Sequence, residues 1–304
     1  MVTREHLARA LWTLFEPIHA VTYFSPQARD ALAAIGLPRY WDGYFAGRSA
    51  PVGALAGPPV TAMFSGFAPF LVDRALPAVW SVVTPEQVIE ARYVGAAETL
   101  RALVPDEALV VAAAAALAPL VENLDIVGRP LAAGFAALPL EDDPYRRVWQ
   151  LAGTLREHRG DGHVVALVSL GIGGLTTLVM RAGVDLDATT MQKARGWTDE
   201  EWGAETDRLI SRGLIDGDRR ITPGGAELLN RAEDLTNRLA VGVLDGLDEA
   251  AVRDVARALV PVAGAVTSLF PYPNPIGMPF SWDPDTDPDA GLVAAHPAPS
   301  PVVE

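Results

Sequence analysis

Between about Val184 and Leu239, the spacing of helix starts, glycine stops and one tight turn leaves the chain few ways to fold. Asp187 to Arg195 reads as a short helix, and Gly196-Trp197 turns the chain. Thr198, with Glu201 three residues on, has the form of a capping box, in which each side chain satisfies a backbone N–H that the first helical turn would leave orphaned. It opens a second helix that runs to Gly213. Leu214-Ile215, Asp216-Gly217-Asp218, Arg219-Arg220-Ile221 and Thr222-Pro223-Gly224-Gly225 then read as strand, turn, strand and the start of a further helix.

That order is a winged helix-turn-helix with a small β wing, and RLISRGLIDGDRRITPGGAELL resembles the winged half of MarR-type regulators. In such a regulator the second helix enters the major groove and its early residues meet bases and phosphates. Here the helix begins Asp199-Glu200-Glu201 and continues through Glu205 and Asp207, so its leading face repels a duplex. From Asp185 to Arg238 there are twelve acidic and eight basic residues. The segment therefore reads as a packing element, with DNA an unlikely partner. Arg219 and Arg220 on the wing are the features that favour the alternative, a ligand-responsive transcriptional regulator acting as a homodimer.

The whole chain carries a net charge of −14, which opposes nonspecific binding to a phosphate lattice. Without cysteine it has no disulfide frame, no thiolate metal site and no cysteine nucleophile. Its 304 residues, half of them apolar, can bury a sizeable core. The fold class expected is mainly α, a helical N-terminal half joined to the winged segment.

Leu7, Leu11, Leu14, Phe15 and Ile18 recur at helical spacing, Ser25-Pro26 opens a second helix that Gly36 ends, and Thr84 with Gln87 forms another capping box. Glu107 to Val121 is Ala-rich and reads as a packed helix, whereas Gly47 to Ala75 reads as a structured loop with short helices. Asp143-Pro144 starts a helix expected to end at Gly160, with Asp161 capping the next, so that REHRGDGH forms a corner between two helices. These signals divide the chain into a helical domain over 1–125, the corner and winged segment over 126–240, a C-terminal helix with a Pro-rich segment over 241–280, and a disordered tail over 281–304. Val164 to Met180 is uncharged but short and interrupted by glycines, and reads as a core helix rather than a membrane span. The N-terminus lacks the pattern of a secretory signal, which points to a cytoplasmic protein.

Three polar groups stand out. Glu16, His19 and Tyr23 share a helical face, where a carboxylate could orient an imidazole beside a phenol. Trp41, Tyr44, Phe45 and Arg48 combine large apolar faces with an anchor for an acid or a carbonyl. Arg156, Glu157, His158, Arg159, Asp161 and His163 crowd eight positions. At a helix corner His158, near a C-terminus, would be favoured protonated and His163, at an N-terminus, neutral, giving an adjacent acid and base. The histidine spacing does not match a helical metal pair, and no phosphate loop, nucleophile elbow or dinucleotide fingerprint is present, so neither metal nor cofactor is expected.

EPIHAVTYF, GYFAGRSAP and LREHRGDGH, followed by RGWTDEEW and RLISRGLID, together resemble an actinobacterial family described only as helix-turn-helix domain-containing, over about Ala8 to Leu239. The resemblance implies that His19, Arg48, His158, Asp161 and His163 belong to one architecture, without assigning them a role. The function expected is binding of a small, largely apolar molecule in a cavity, by a protein of specialised metabolism. Ligand contacts would come from Glu16, Tyr23, Trp41, Tyr44, Phe45, Arg48 and Arg159. If the site is catalytic, His19, His158, Asp161 and His163 would carry acid-base chemistry without a cofactor. Besides the regulator, the remaining alternatives are antibiotic sequestration and haem binding through His19 or His158.

Overall fold

The structure, a computed structural model, describes residues 2–122, 124–271, 274 and 276–287. Among them the regular elements are helices: α1 (Arg4–Phe24), α2 (Pro26–Ala34), α3 (Tyr40–Ser49), α4 (Gly57–Met63), α5 (Pro69–Asp73), α6 (Pro85–Leu103) and α7 (Glu107–Val121). There follow α8 (Pro130–Ala136), α9 (Pro144–Ser169), α10 (Gly174–Ala182), α11 (Ala188–Arg195), α12 (Asp199–Ser211), α13 (Pro223–Ala240) and α14 (Glu249–Val266). The starts follow the expected chemistry, with complete capping boxes at Thr84/Gln87 and Thr198/Glu201 and side-chain caps from Ser25, Asp143 and Asp187.

The central element is α9, a helix of 26 residues, about 39 Å long at the usual rise per residue. It runs unbroken through Gly160 and Gly162, so the expected corner does not exist. Two packing facts explain why the helix continues. A Cβ on Gly162 would lie 2.8 Å from Arg129 Nη1. Its absence admits that guanidinium, which donates to the carbonyl of His158 at 2.6 Å and to that of Leu239 at 2.7 Å. Asp161, rather than capping a new helix, accepts from the N–H groups of Leu131 and Ala132 at 2.9 and 3.0 Å and so caps α8 across the interface.

Three cores are arranged along α9. The first joins α1, α6, α7, the start of α9 and α14, so residues from both ends of the chain build it. The second fills the space among α3, α4, α5 and the start of α6, with Leu131 from α8. The third is the helix-turn-helix, α10 to α13, packed on Leu167 near the end of α9. The run Val164 to Met180 is split between α9 and α10, which meet at 90°, and no single helix among the described residues is long and apolar enough to cross a membrane.

The wing is shorter than expected. Among the described residues there is no strand, only one antiparallel bridge between Ile215 and Ile221. Asp216 Oδ1 accepts from the N–H groups of both Asp218 and Arg220, closing a tight turn, and the N–H of Ile221 donates to Gly183 O at 3.2 Å rather than along a ladder. The start of the expected tail is also docked. Trp282 is buried, its N–H donates to Thr13 Oγ1 at 2.8 Å and its indole N–H to Asp287 O, while residues 288–304 of that tail lie outside the described residues.

Candidate functional site

On α1, Arg9, Trp12 and Glu16 fall at i, i+3 and i+7, one helical stripe, and they face the C-terminal half of α9 across a cavity of about 430 Å³. Loop residues Ser65, Gly66 and Phe67, the helix-turn-helix residues Thr177 and Arg195, and Asn274 with Ile276 to Pro279 complete its walls. Six arginines line it, Arg9, Arg48, Arg156, Arg159, Arg181 and Arg195, against three carboxylates, Glu16, Asp185 and Glu233.

Beneath this cavity lies Glu157, which has no solvent exposure. Arg48 grips it through two bonds, Nε to Oε1 at 3.2 Å and Nη2 to Oε2 at 2.8 Å, and Arg156 Nη1 reaches the same Oε2 at 2.8 Å. Burial pushes the Glu157 carboxyl up, but Arg156 and Arg48 outweigh it and hold the group well below the usual carboxylate range. Arg156 continues to Glu16 at 3.3 Å, and Glu16 accepts from Trp12 Nε1 at 2.9 Å. Arg48 lies 4.1 Å above the Phe64 ring centroid and donates to the Tyr44 hydroxyl at 3.2 Å. Burial opposes ionisation of that phenol, yet Arg48, Arg195 and Arg156 together bring it below its ordinary value.

Arg159 forms the opposite wall. It stacks 4.8 Å over Trp12, pairs with Glu233 and donates to Asn237 Oδ1 at 2.8 Å, while its Nη1 is buried with no hydrogen-bond partner. His163 lines the same cavity and shares a 2.9 Å hydrogen bond with Thr236 Oγ1.

Of the residues singled out in the sequence, Glu16, Tyr44, Arg48, Arg156, Arg159 and His163 face this cavity. Tyr23 faces a second one, which Tyr44 also borders. His19 lines neither. It is fully buried, stacked on Trp149 at 5.1 Å, and bonded through Nε2 to Tyr23 Oη at 3.2 Å rather than to Glu16. Burial, with Arg92 and Arg156 nearby, holds His19 well below its ordinary pKa, so it is a neutral core histidine.

His158 and His163 do not form an acid-base pair. On an unbroken helix, five residues at about 100° each set them about 140° apart, and His158 is buried outside both cavities. Burial, then the Arg129 guanidinium, pushes His158 down to about 4. Neither His19 nor His158 therefore has the open face that an axial haem ligand needs. Asp161 is spent on capping α8, and burial raises it to about 6 despite its two backbone donors. Trp41 and Phe45 pack with Phe67 in the second core.

Sequence reasoning missed Arg9, Arg181, Arg195 and Glu233, and it noted Arg156 and Glu157 in the crowded run without giving them a role in the site. Arg9, Trp12 and Glu16 did carry a signal, a polar stripe on an otherwise apolar helix. Among the described residues no group of three His, Asp or Glu side chains could hold a metal ion.

Comparison with known proteins gives one match: residues 8–271 fit the sequence profile of a helix-turn-helix family. No curated protein and no solved structure matches the chain.

Replacing Glu157 by Gln leaves Arg48 and Arg156 without their shared counter-charge. A loss of about 3–5 kcal/mol is expected from breaking such a buried pair, readable by chemical denaturation. A change within experimental error would show the pair to be dispensable. The depressed His158 gives a second expectation. Between its unfolded value near 6.5 and about 4 the unfolded chain takes up a proton that the folded one refuses, so this group lowers stability as pH falls through that window. Asp161, raised to about 6, acts in the opposite sense, since the folded state protonates first and gains stability on acidification. His158→Gln should therefore lessen the loss of stability from pH 6.5 to pH 4, measured by urea titration at each pH; an unchanged difference between the two ends refutes the assignment.

Proposed function

The chain belongs to a helix-turn-helix family, and from that premise we propose that its helix-turn-helix acts mainly as one wall of a binding site for a small anionic molecule with an apolar body. One observation carries this reading: in a chain of net charge −14, six of the 24 basic residues converge on one cavity against three lining carboxylates and the buried Glu157 beneath them. Clustered guanidiniums in a recess with low-dielectric walls concentrate a positive potential, and their paired donors match a carboxylate or phosphate. The unpartnered Nη1 of Arg159 is a donor waiting for such a group. Trp12, Met63, Phe64, Phe67 and Leu178 supply apolar surface for the remainder of the ligand. His163 stands in this cavity apart from His158, so the reading is binding and not a two-histidine catalytic cycle.

The decisive measurement is mass spectrometry of whatever co-purifies with the protein, joined to thermal-shift screening of amphiphilic acids against their neutral amides. Acids should raise the melting temperature and amides should not, and Arg159→Gln should weaken the preferred acid by about tenfold or more, the scale of a charge-assisted hydrogen bond. Equal responses to acid and amide would refute an anionic ligand.

A second reading, a ligand-responsive regulator, is favoured by the family itself and by Arg219 and Arg220, both exposed on the wing. Against it, Asp199, Glu200 and Glu201 are exposed at the start of α12, where a duplex would approach. Promoter fragments at about 50 mM salt, where phosphate contacts are strongest, should give no mobility shift; a sequence-specific, salt-sensitive shift would make the regulator the better reading.

A further inference from the structure

The second cavity, about 370 Å³, opens among α2, α3 and α6 on the far side of Tyr44. Arg29, Arg39 and Tyr40 are exposed at its rim, and Tyr23 and Arg92 are buried at its floor. Leu32, Leu37 and Pro38 give it apolar walls. Three arginines line it and no carboxylate does.

Arg92 is the unusual group. It is 3 % exposed, yet among the described residues no carboxylate lies within 4.0 Å of it. Its Nη1 donates to Gly47 O at 2.6 Å, in the space left by that glycine's missing side chain. Its plane lies over Trp149 at 4.9 Å and Phe135 at 5.6 Å. Nη2 is buried and has no hydrogen-bond partner. Arg48 and Arg156, which repel it, already share Glu157 and Glu16, so the buried cluster of three guanidiniums and two carboxylates is one negative charge short. Ring faces soften that deficit, but an unmet charged donor in the interior is costly.

We propose that this cavity binds a small aromatic carboxylic acid, whose carboxylate takes the free donor of Arg92 and whose ring lies among Tyr23, Tyr40 and Tyr44. The carboxylate supplies the missing charge, and cationic Arg29 at the rim favours its entry, Arg39 being held by Asp42 at 2.7 Å. This site shares the wall residue Tyr44 with the larger cavity but does not require a ligand there.

The probes are benzoate and its neutral isostere benzamide, titrated into the full chain by calorimetry. Benzoate should bind, benzamide should bind at least about tenfold more weakly, and Arg92→Gln should abolish benzoate binding, as removal of a charge-assisted anchor requires. Arg159→Gln, in the other cavity, should leave it unchanged. Because a core arginine can matter for folding, intermolecular NOEs in the unaltered protein provide an independent reading, with benzoate ring protons expected to contact the Leu32 and Leu37 methyls. Contacts to Met63 and Leu178 instead, equal binding of benzamide, or no binding of benzoate at about 10 mM, far weaker than a built site would give, would each overturn the proposal.

Discussion

A carboxylate with no access to water, Glu157, is where three parts of the fold meet. It sits on α9, takes two bonds from Arg48 on α3, and is adjacent in sequence to Arg156, which carries the network on to Glu16 on α1. Each of these charges would be strongly unfavourable if buried alone. The interior tolerates them because each carboxylate of the network has a guanidinium against it, and the Phe64 ring covers Arg48 at 4.1 Å. Such a network adds little net stability compared with apolar packing. What it provides is a set of directional bonds that couples the positions of α1, α3 and α9.

The continuity of α9 determines which of its polar residues can act together. At about 100° per residue, Arg156, Arg159, Gly160 and His163 share the stripe that faces the large cavity, while His158 and Asp161 turn toward Arg129 and α8. Had the helix broken at Gly160, the two histidines would have sat at opposite helix ends with opposed protonation. Unbroken, it gives one of them a cavity and the other a buried seat beside a guanidinium.

Local signals were therefore legible and distant ones were not. Capping boxes at Thr84 and Thr198, the Pro26 start and the helix-turn-helix order each depend on residues three or four apart, and each stands where the spacing put it. The wing is reduced to one bridge because the carbonyl of Gly183, far upstream in the chain, takes the Ile221 N–H that a ladder needs. The corner failed because Arg129 and the start of α8, thirty positions upstream in round terms, decide whether Gly162 and Asp161 belong inside a helix. Arg92 could have been found: it stands between Val88 and Ala96 on a buried helical stripe, where a charge needs a reason.

The turn of the helix-turn-helix ties these layers to one another. Ala68 N–H donates to Arg195 O at 2.9 Å, Trp197 Nε1 donates to Gly66 O at 3.1 Å, and left-handed Gly196 leaves no room for a side chain beside Leu71. Gly66, Phe67 and Arg195 are also cavity walls. A shift of the helix-turn-helix that moved these residues would therefore reshape the cavity, and an occupant touching them would bias that shift. Linkage makes the two effects equal in free energy whichever is regarded as cause. The helix-turn-helix thus exposes Asp199, Glu200 and Glu201 at the start of α12 and presents Arg195, at the end of α11, to the cavity.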